Sequence, residues 1–98
     1  MEIEIKEGLA YLKIDEEMTI YQAGEICSKM IECFNEHGGL ILDFSNTISC
    51  DAAGIQLICS ARKTAGDMKK QFSVVNASEP VINAVARAGM HPEKILGI

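Results

Sequence analysis

The 98-residue sequence contains no apolar run approaching the roughly 18 residues that a membrane-spanning helix needs, so a transmembrane role is not expected. It has no low-complexity tract, and with 48% hydrophobic residues it reads as a globular chain and not a disordered one. The N-terminal Met1-Glu2-Ile3-Glu4-Ile5-Lys6-Glu7 alternates polar with apolar and lacks the basic-then-apolar order of an export signal. No C-x-x-C pair exists among Cys27, Cys33, Cys50 and Cys59. Cys27 and Cys33 fall on one expected helix and point about 120° apart, which suits neither a shared metal nor a bridge. Free thiols without an export signal point to a reducing cytoplasm. Packing at the core or its boundary is their expected role, with Cys59 showing the most reactive surface.

Catalytic patterns are missing as well. Neither G-x-x-x-x-G-K-[ST] nor G-x-G-x-x-G occurs, and Gly38-Gly39 is too brief to cradle a phosphate. His37 and His91 belong to no triad motif. Glu16 and Glu17 are adjacent in a polar stretch where nothing desolvates them. No enzyme, cofactor or metal is expected.

Positive charge is scarce: Lys and Arg number 9 against 14 Asp and Glu, a net of −5. The excess is confined to residues 1–37, where nine acids outnumber Lys6, Lys13 and Lys29 for a net of −6, while the remainder nets +1. Such a chain repels phosphate backbones and anionic headgroups, which excludes nucleic acid and membrane-surface binding and favours a basic protein surface. A solvated acidic surface that only keeps the chain soluble is the alternative.

What is present fits one domain over residues 1–98. Ile3 to Lys6 and Leu9 to Ile14 alternate around Glu7-Gly8, a hairpin pattern. Asp15, Glu16 and Glu17 are too charged for a buried strand and are expected in a loop or edge. Between Tyr21 and Glu36 the period changes: Ala23, Ile26, Met30, Cys33, Phe34 and His37 lie on one helical side, and Gly38 ends the helix. Leu40-Ile41-Leu42-Asp43-Phe44 reads as a strand buried on both faces. A polar connection, Ser45 to Cys50, leads to a helix marked by Ala53, Leu57, Ile58, Ala61, Ala65 and Met68.

Lys69-Lys70 is a turn, and Gln71 to Val75 a strand parallel to the Leu40 strand across a right-handed helical crossover. Ser78 can cap a third helix carrying Pro80 in its first turn and Val81, Ala84, Val85 and Ala88 as its stripe, ending at Gly89. In the tail, Ile95, Leu96 and Ile98 are expected to fold back on the core. The fold class is α/β: a central mixed sheet of about four strands, an N-terminal hairpin and three main helices.

Asp51 sits at an N-cap position, where its carboxylate can accept from backbone N–H groups of the next turn and meet the positive end of the helix dipole. Asp43-Phe44-Ser45 followed by Asp51-Ala52-Ala53-Gly54-Ile55 resembles the STAS domains of bacterial anti-sigma factor antagonists, in which a buried strand ends in a similar triplet and precedes Asp-Ser-Ser-Gly-Leu or Asp-Ser-Thr-Gly-Leu. Ile20-Tyr21-Gln22-Ala23 resembles the start of that family's first helix, and Val75-Asn76-Ala77-Ser78-Glu79-Pro80-Val81 the start of its last. The resemblance spans nearly the whole chain.

It implies a module that docks on a protein partner, an anti-sigma factor kinase-like protein, through Asp51, Ala52, Ala53, Gly54, Ile55, Gln56, Cys59 and Ser60, with Asp51 both cap and partner-facing acid. In the switched members the residue after the Asp is the phosphorylated Ser or Thr; here it is Ala52, which has no oxygen to esterify. Thr19 stands about where the family often carries an aspartate, so a second part of the kinase-recognition surface is also altered. Ser45, Thr47 and Ser49 offer nearby hydroxyls, each displaced from the acceptor position and explained by turn hydrogen bonding. The alternative implied is a STAS scaffold subunit of a chemotaxis-type signalling complex or of a lipid or anion transport assembly.

Overall fold

The computed structural model describes residues 1–98, every side chain included but that of Glu16. The element order is β1 (Glu2–Lys6), β2 (Leu9–Lys13), β3 (Glu16–Met18), α1 (Ala23–Glu36), β4 (Gly39–Asp43), β5 (Thr47–Cys50), α2 (Ala52–Met68), β6 (Gln71–Val75), α3 (Glu79–Arg87) and α4 (Pro92–Leu96). The main sheet has the order β1-β2-β4-β6. β1 and β2 form the expected antiparallel hairpin, with Glu7 at φ 52° and Gly8 at φ 79°, the left-handed pair that a two-residue turn of this twist requires. β2, β4 and β6 run parallel, joined through α1 and α2.

The side-chain alternation assigns one face of this sheet to the helices. Ala10, Leu12, Leu40, Leu42 and Val74 are buried in one cluster with Ile26, Met30, Phe34, Ile58, Val81 and Val85 from the helices. Tyr11, Lys13 and Ser73 turn the other way and remain at least partly exposed. β4 is buried from Gly39 through Leu42 on both sides, as its apolar run predicts.

Two expectations are corrected. Glu16 and Glu17 lie in β3, an edge strand of a separate two-stranded sheet, in keeping with the loop or edge expected for them, but its parallel partner β5 falls inside the segment expected as a polar connection. The pairing is anchored by Met18, the last residue of β3, which is fully buried and lies opposite Cys50. Thr47 is also buried, and its hydroxyl donates to the Ile14 carbonyl at 2.8 Å, which removes the cost of placing a polar atom there. Ser78 occupies the N-cap position of α3 without capping it; its hydroxyl donates instead to the Thr47 carbonyl at 2.6 Å and ties α3 to β5.

Other residues shift from their expected burial. Met68 and Ile98 are exposed, while in the tail Leu96, carried by α4, is buried in the core and Ile95 packs half-buried against it, as expected. Cys27, not Cys59, is the exposed thiol, since it lies one residue past the buried Ile26 on α1; Cys33 is buried and Cys50 and Cys59 are half-buried. Lys70, just past the end of α2, satisfies the end of α1: its ammonium donates to the Phe34 carbonyl and, at 2.8 Å, to the His37 carbonyl.

Gly24 and Gly66 lie within α1 and α2, and a methyl group at either would meet nothing within 4 Å. Gly66→Ala is therefore expected to stabilise the fold by about 0.5–1 kcal/mol, by removing backbone freedom from the unfolded chain. Urea unfolding measures it; a loss of stability would contradict the open space at this site.

Candidate functional site

The site forms where the loop before α1 meets the start of α2. Asp51 organises it. One carboxylate oxygen, Oδ1, accepts from the amides of Ala53 at 2.9 Å and Gly54 at 3.2 Å, so the predicted cap is present. The other, Oδ2, accepts from the Ile20 amide at 3.0 Å, a contact invisible to local sequence reading because the partners are 31 residues apart. The carboxylate thus bolts two helix starts together. Its pKa is held below the ordinary carboxylate value chiefly by the Ile20 amide, against desolvation and with help from the Gly54 and Ala53 amides.

A carboxylate whose pKa is lower in the folded state stabilises the fold above its unfolded pKa and loses that contribution as pH falls through the folded one. Between pH 7 and pH 5 the contribution is constant; it declines below about pH 4. Asp51→Asn is expected to flatten this acid limb of a urea-midpoint titration. An unaltered limb would place the acid sensitivity elsewhere.

Thr19 completes the turn from within. Its hydroxyl donates to Gln22 Oε1 at 2.6 Å, its amide donates to the same oxygen at 3.1 Å, and the Tyr21 amide donates back to Thr19 Oγ1 at 3.3 Å. Held in this way, the loop projects Ile20, 64% exposed, and Tyr21, 90% exposed, beside the α2 tip.

Of the residues expected in a contact strip, Ala52, Gln56 and Ser60 are exposed, at four-residue steps along one side of α2, with Ala53 and Cys59 half-buried beside them. Gly54 and Ile55 are corrected: both are buried. Gly54 faces inward, where a side chain would collide with the Met18 carbonyl and lie 2.8 Å from Cys50 Sγ. Its lack of a side chain serves the molecule's own packing.

Ile20, Tyr21, Cys27 and Ile31 were missed by sequence reading. α1 and α2 lie side by side and parallel, since their starts meet at Ile20 and Asp51 and their ends at Phe34 and Lys70. The seam between them holds an apolar groove of about 50 Å³ lined by Cys27, Ile31, Phe34, Leu57, Ser60 and Thr64. Ile20 and Tyr21 just ahead of α1 and Ile31 on its polar side were the available signal.

Hydroxyls near the tip are variously committed. Thr47 is buried and bonded; Ser45 sits in a turn whose amide donates to Asp43 Oδ1 at 2.9 Å; Ser49 is half-buried on β5 opposite Glu17. Burial, with the Asp51 charge adding to it, pushes the Cys50 thiol up to about 11, so it stays protonated at neutral pH and is a poor nucleophile. What this tip can do is present shape, apolar surface and backbone dipoles to another molecule.

A family model described as the STAS domain matches residues 1–95. Among solved structures, the anti-sigma factor antagonist SpoIIAA in its unphosphorylated form superposes with a TM-score of 0.76 at 16% identity, over 93% of this chain and 82% of that one. A sulfate transporter family protein from Wolinella succinogenes gives 0.73 at 14% identity, over 94% and 75%. SLC26A9 gives 0.74 at 17% identity over 91% of this chain, which spans only 17% of that protein. No curated protein matches the sequence at a significant level. At these identities the structural likeness concerns the fold, an α/β domain with a mixed four-stranded sheet.

Proposed function

The chain belongs to the STAS domain family, and on that basis we propose that it is a regulatory binding module, not an enzyme, that grips a partner protein through the α2 tip without a phosphorylation switch there. The reading rests on Ala52. It is exposed at the first position of a helix whose cap, Asp51, is fully engaged, and it stands where the switched members of the family carry a hydroxyl. Around it, Ile20, Tyr21, Gln56 and Ser60 supply exposed contact surface, with Ala53, Cys59 and the Thr19 turn at its margin. Asp51 acts on the partner through the shape it imposes, since both its oxygens already accept backbone amides. The compartment proposed is the cytoplasm, in keeping with free thiols; no helix among the described residues is long and apolar enough to cross a membrane.

The partner proposed is an anti-sigma factor kinase-like protein. A scaffold subunit in a signalling or transport assembly is the second reading, favoured by the methyl at position 52 and by a fold shared equally with transporter-associated domains. Amide hydrogen exchange on the complex with a purified partner tests the surface: protection is expected at 19–21 and 52–60, and protection confined to the open sheet face of β2 and β6 would refute it. Incubating that complex with ATP is expected to leave residues 51–54 without phosphate by mass spectrometry, while phosphate on Ser49 would restore a switch.

A further inference from the structure

β1 is the outer strand of the main sheet, paired with β2 on one side and with no described strand on the other. All five of its residues are exposed, and its sequence holds no proline, glycine or bulge to blunt the edge. The turn at Glu7-Gly8 closes on the Lys6–Leu9 pair, the hydrogen-bonded pair of a two-residue hairpin. Alternation from there turns the backbone groups of Glu2, Glu4 and Lys6 toward β2. Those of Ile3 and Ile5 point outward, to the free edge. The two isoleucine side chains lie on the helix-covered face, opposite Leu12 and Ala10, yet remain 39% and 50% exposed.

We propose that this edge is covered by β1 of a second copy of the chain, antiparallel about a two-fold axis through Glu4, making one continuous sheet across the dimer. The strand is its own complement in this register. Ile3 meets Ile5 of the second copy, so the outward amides and carbonyls of each satisfy those of the other and the exposed isoleucines cover one another. Glu2 meets Lys6 of the second copy on the opposite face, twice over. Glu4 meets its own counterpart at the axis, where the pair is not hydrogen-bonded and each carboxylate keeps its own Lys6 ammonium at 3.3 Å. Sliding the pair by two residues one way would set Ile3 against Glu7, whose φ of 52° takes it out of strand geometry, and the other way would set Glu2 against Glu4, like charges directly opposite, so the first register is selected. β1 makes extensive contact with β2 alone, which leaves the α1–α2 surface free in the dimer, with two docking tips per particle.

Sedimentation equilibrium of the full chain from about 1 μM to about 1 mM, a span covering weak to moderate association, is expected to show the mass rising from 10.7 kDa to twice that value. Ile5→Pro removes an outward N–H that β2 does not use, a change an edge strand tolerates, and is expected to remain monomeric with an unchanged circular dichroism spectrum. Glu2→Lys and Lys6→Glu should each weaken association at least tenfold, and mixing the two variants should restore it, because only the mixed pair sets opposite charges across both contacts. A wild-type mass that stays at 10.7 kDa throughout, a dimeric Ile5→Pro, or charge variants that mixing does not rescue would each overturn the proposal.

Discussion

Gly54→Ala is expected to lower the free energy of unfolding by about 3 kcal/mol, near the upper end for overpacking a core. The added methyl would be driven into the Met18 carbonyl and sit 2.8 Å from Cys50 Sγ. A flexible side-chain end could swing aside; a carbonyl cannot move alone. Met18 is held by the β3–β5 ladder, and its carbonyl also accepts from the Asp51 amide at 3.4 Å, so displacing it disturbs the second sheet and the cap of α2 together. In a domain of this size the loss corresponds to a fall in Tm of roughly 12–24 °C. Urea unfolding with an unchanged slope checks it. A drop below about 1 kcal/mol would mean that α2 can lift off β3 cheaply, and the tip would then be a mobile element instead of a fixed one. Gly66→Ala, with an empty surround in the same helix, is the internal contrast: the same chemical change with the opposite sign.

That contrast also marks where sequence reading reached its limit. The α2 stripe, the Asp51 cap and the hairpin were legible because each rests on neighbours in sequence: a period of 3.6 or 2, a capping residue, a two-residue turn. The β4–β6 pair was legible because two five-residue strands joined by a helix pair in parallel through a right-handed crossover. β3 and β5 were not, because they are three and four residues long, too short to express a period, and their partners lie some thirty residues away. The same distance hid the Asp51–Ile20 and Lys70–His37 bonds.

Gly54 and Ile55 entered the contact strip through the family resemblance, which carries over positions in sequence and not their burial in this chain. The second sheet, packed underneath, is what turns that side of the tip inward. Ala52, Gln56 and Ser60, implied by the same resemblance, do lie at four-residue steps on one exposed side of α2. The α1 half of the surface escaped notice, since Tyr21 and Ile31 look like core residues until the helix is docked and both are left outside.

Ala52→Asp is expected to weaken partner binding by about 100-fold or more while leaving the fold intact. The two effects separate because the new carboxylate enters opposite environments. In the free protein it occupies the first position of α2, exposed, at the positive end of the helix dipole, where an acid is favourable even beside Asp51. In the complex proposed here it is pressed against another surface, between Ile20, Tyr21 and Gln56, with no cation among those residues to meet it. Burying an unpaired charge in such a contact costs about 3 kcal/mol or more, which is the stated loss in affinity.

Calorimetric titration of the purified partner reads the affinity, and thermal unfolding of the variant alone reads the fold. Ala52→Ser supplies the control, since a hydroxyl in place of a hydrogen adds little volume and no charge. It should bind within about threefold of wild type. If the partner then phosphorylates it, the loss seen with aspartate should reappear, because a phosphate brings nearly two negative charges to the same spot. Wild-type affinity in the aspartate variant, with the fold unchanged, would put the interface elsewhere on the molecule and end the case for the α2 tip.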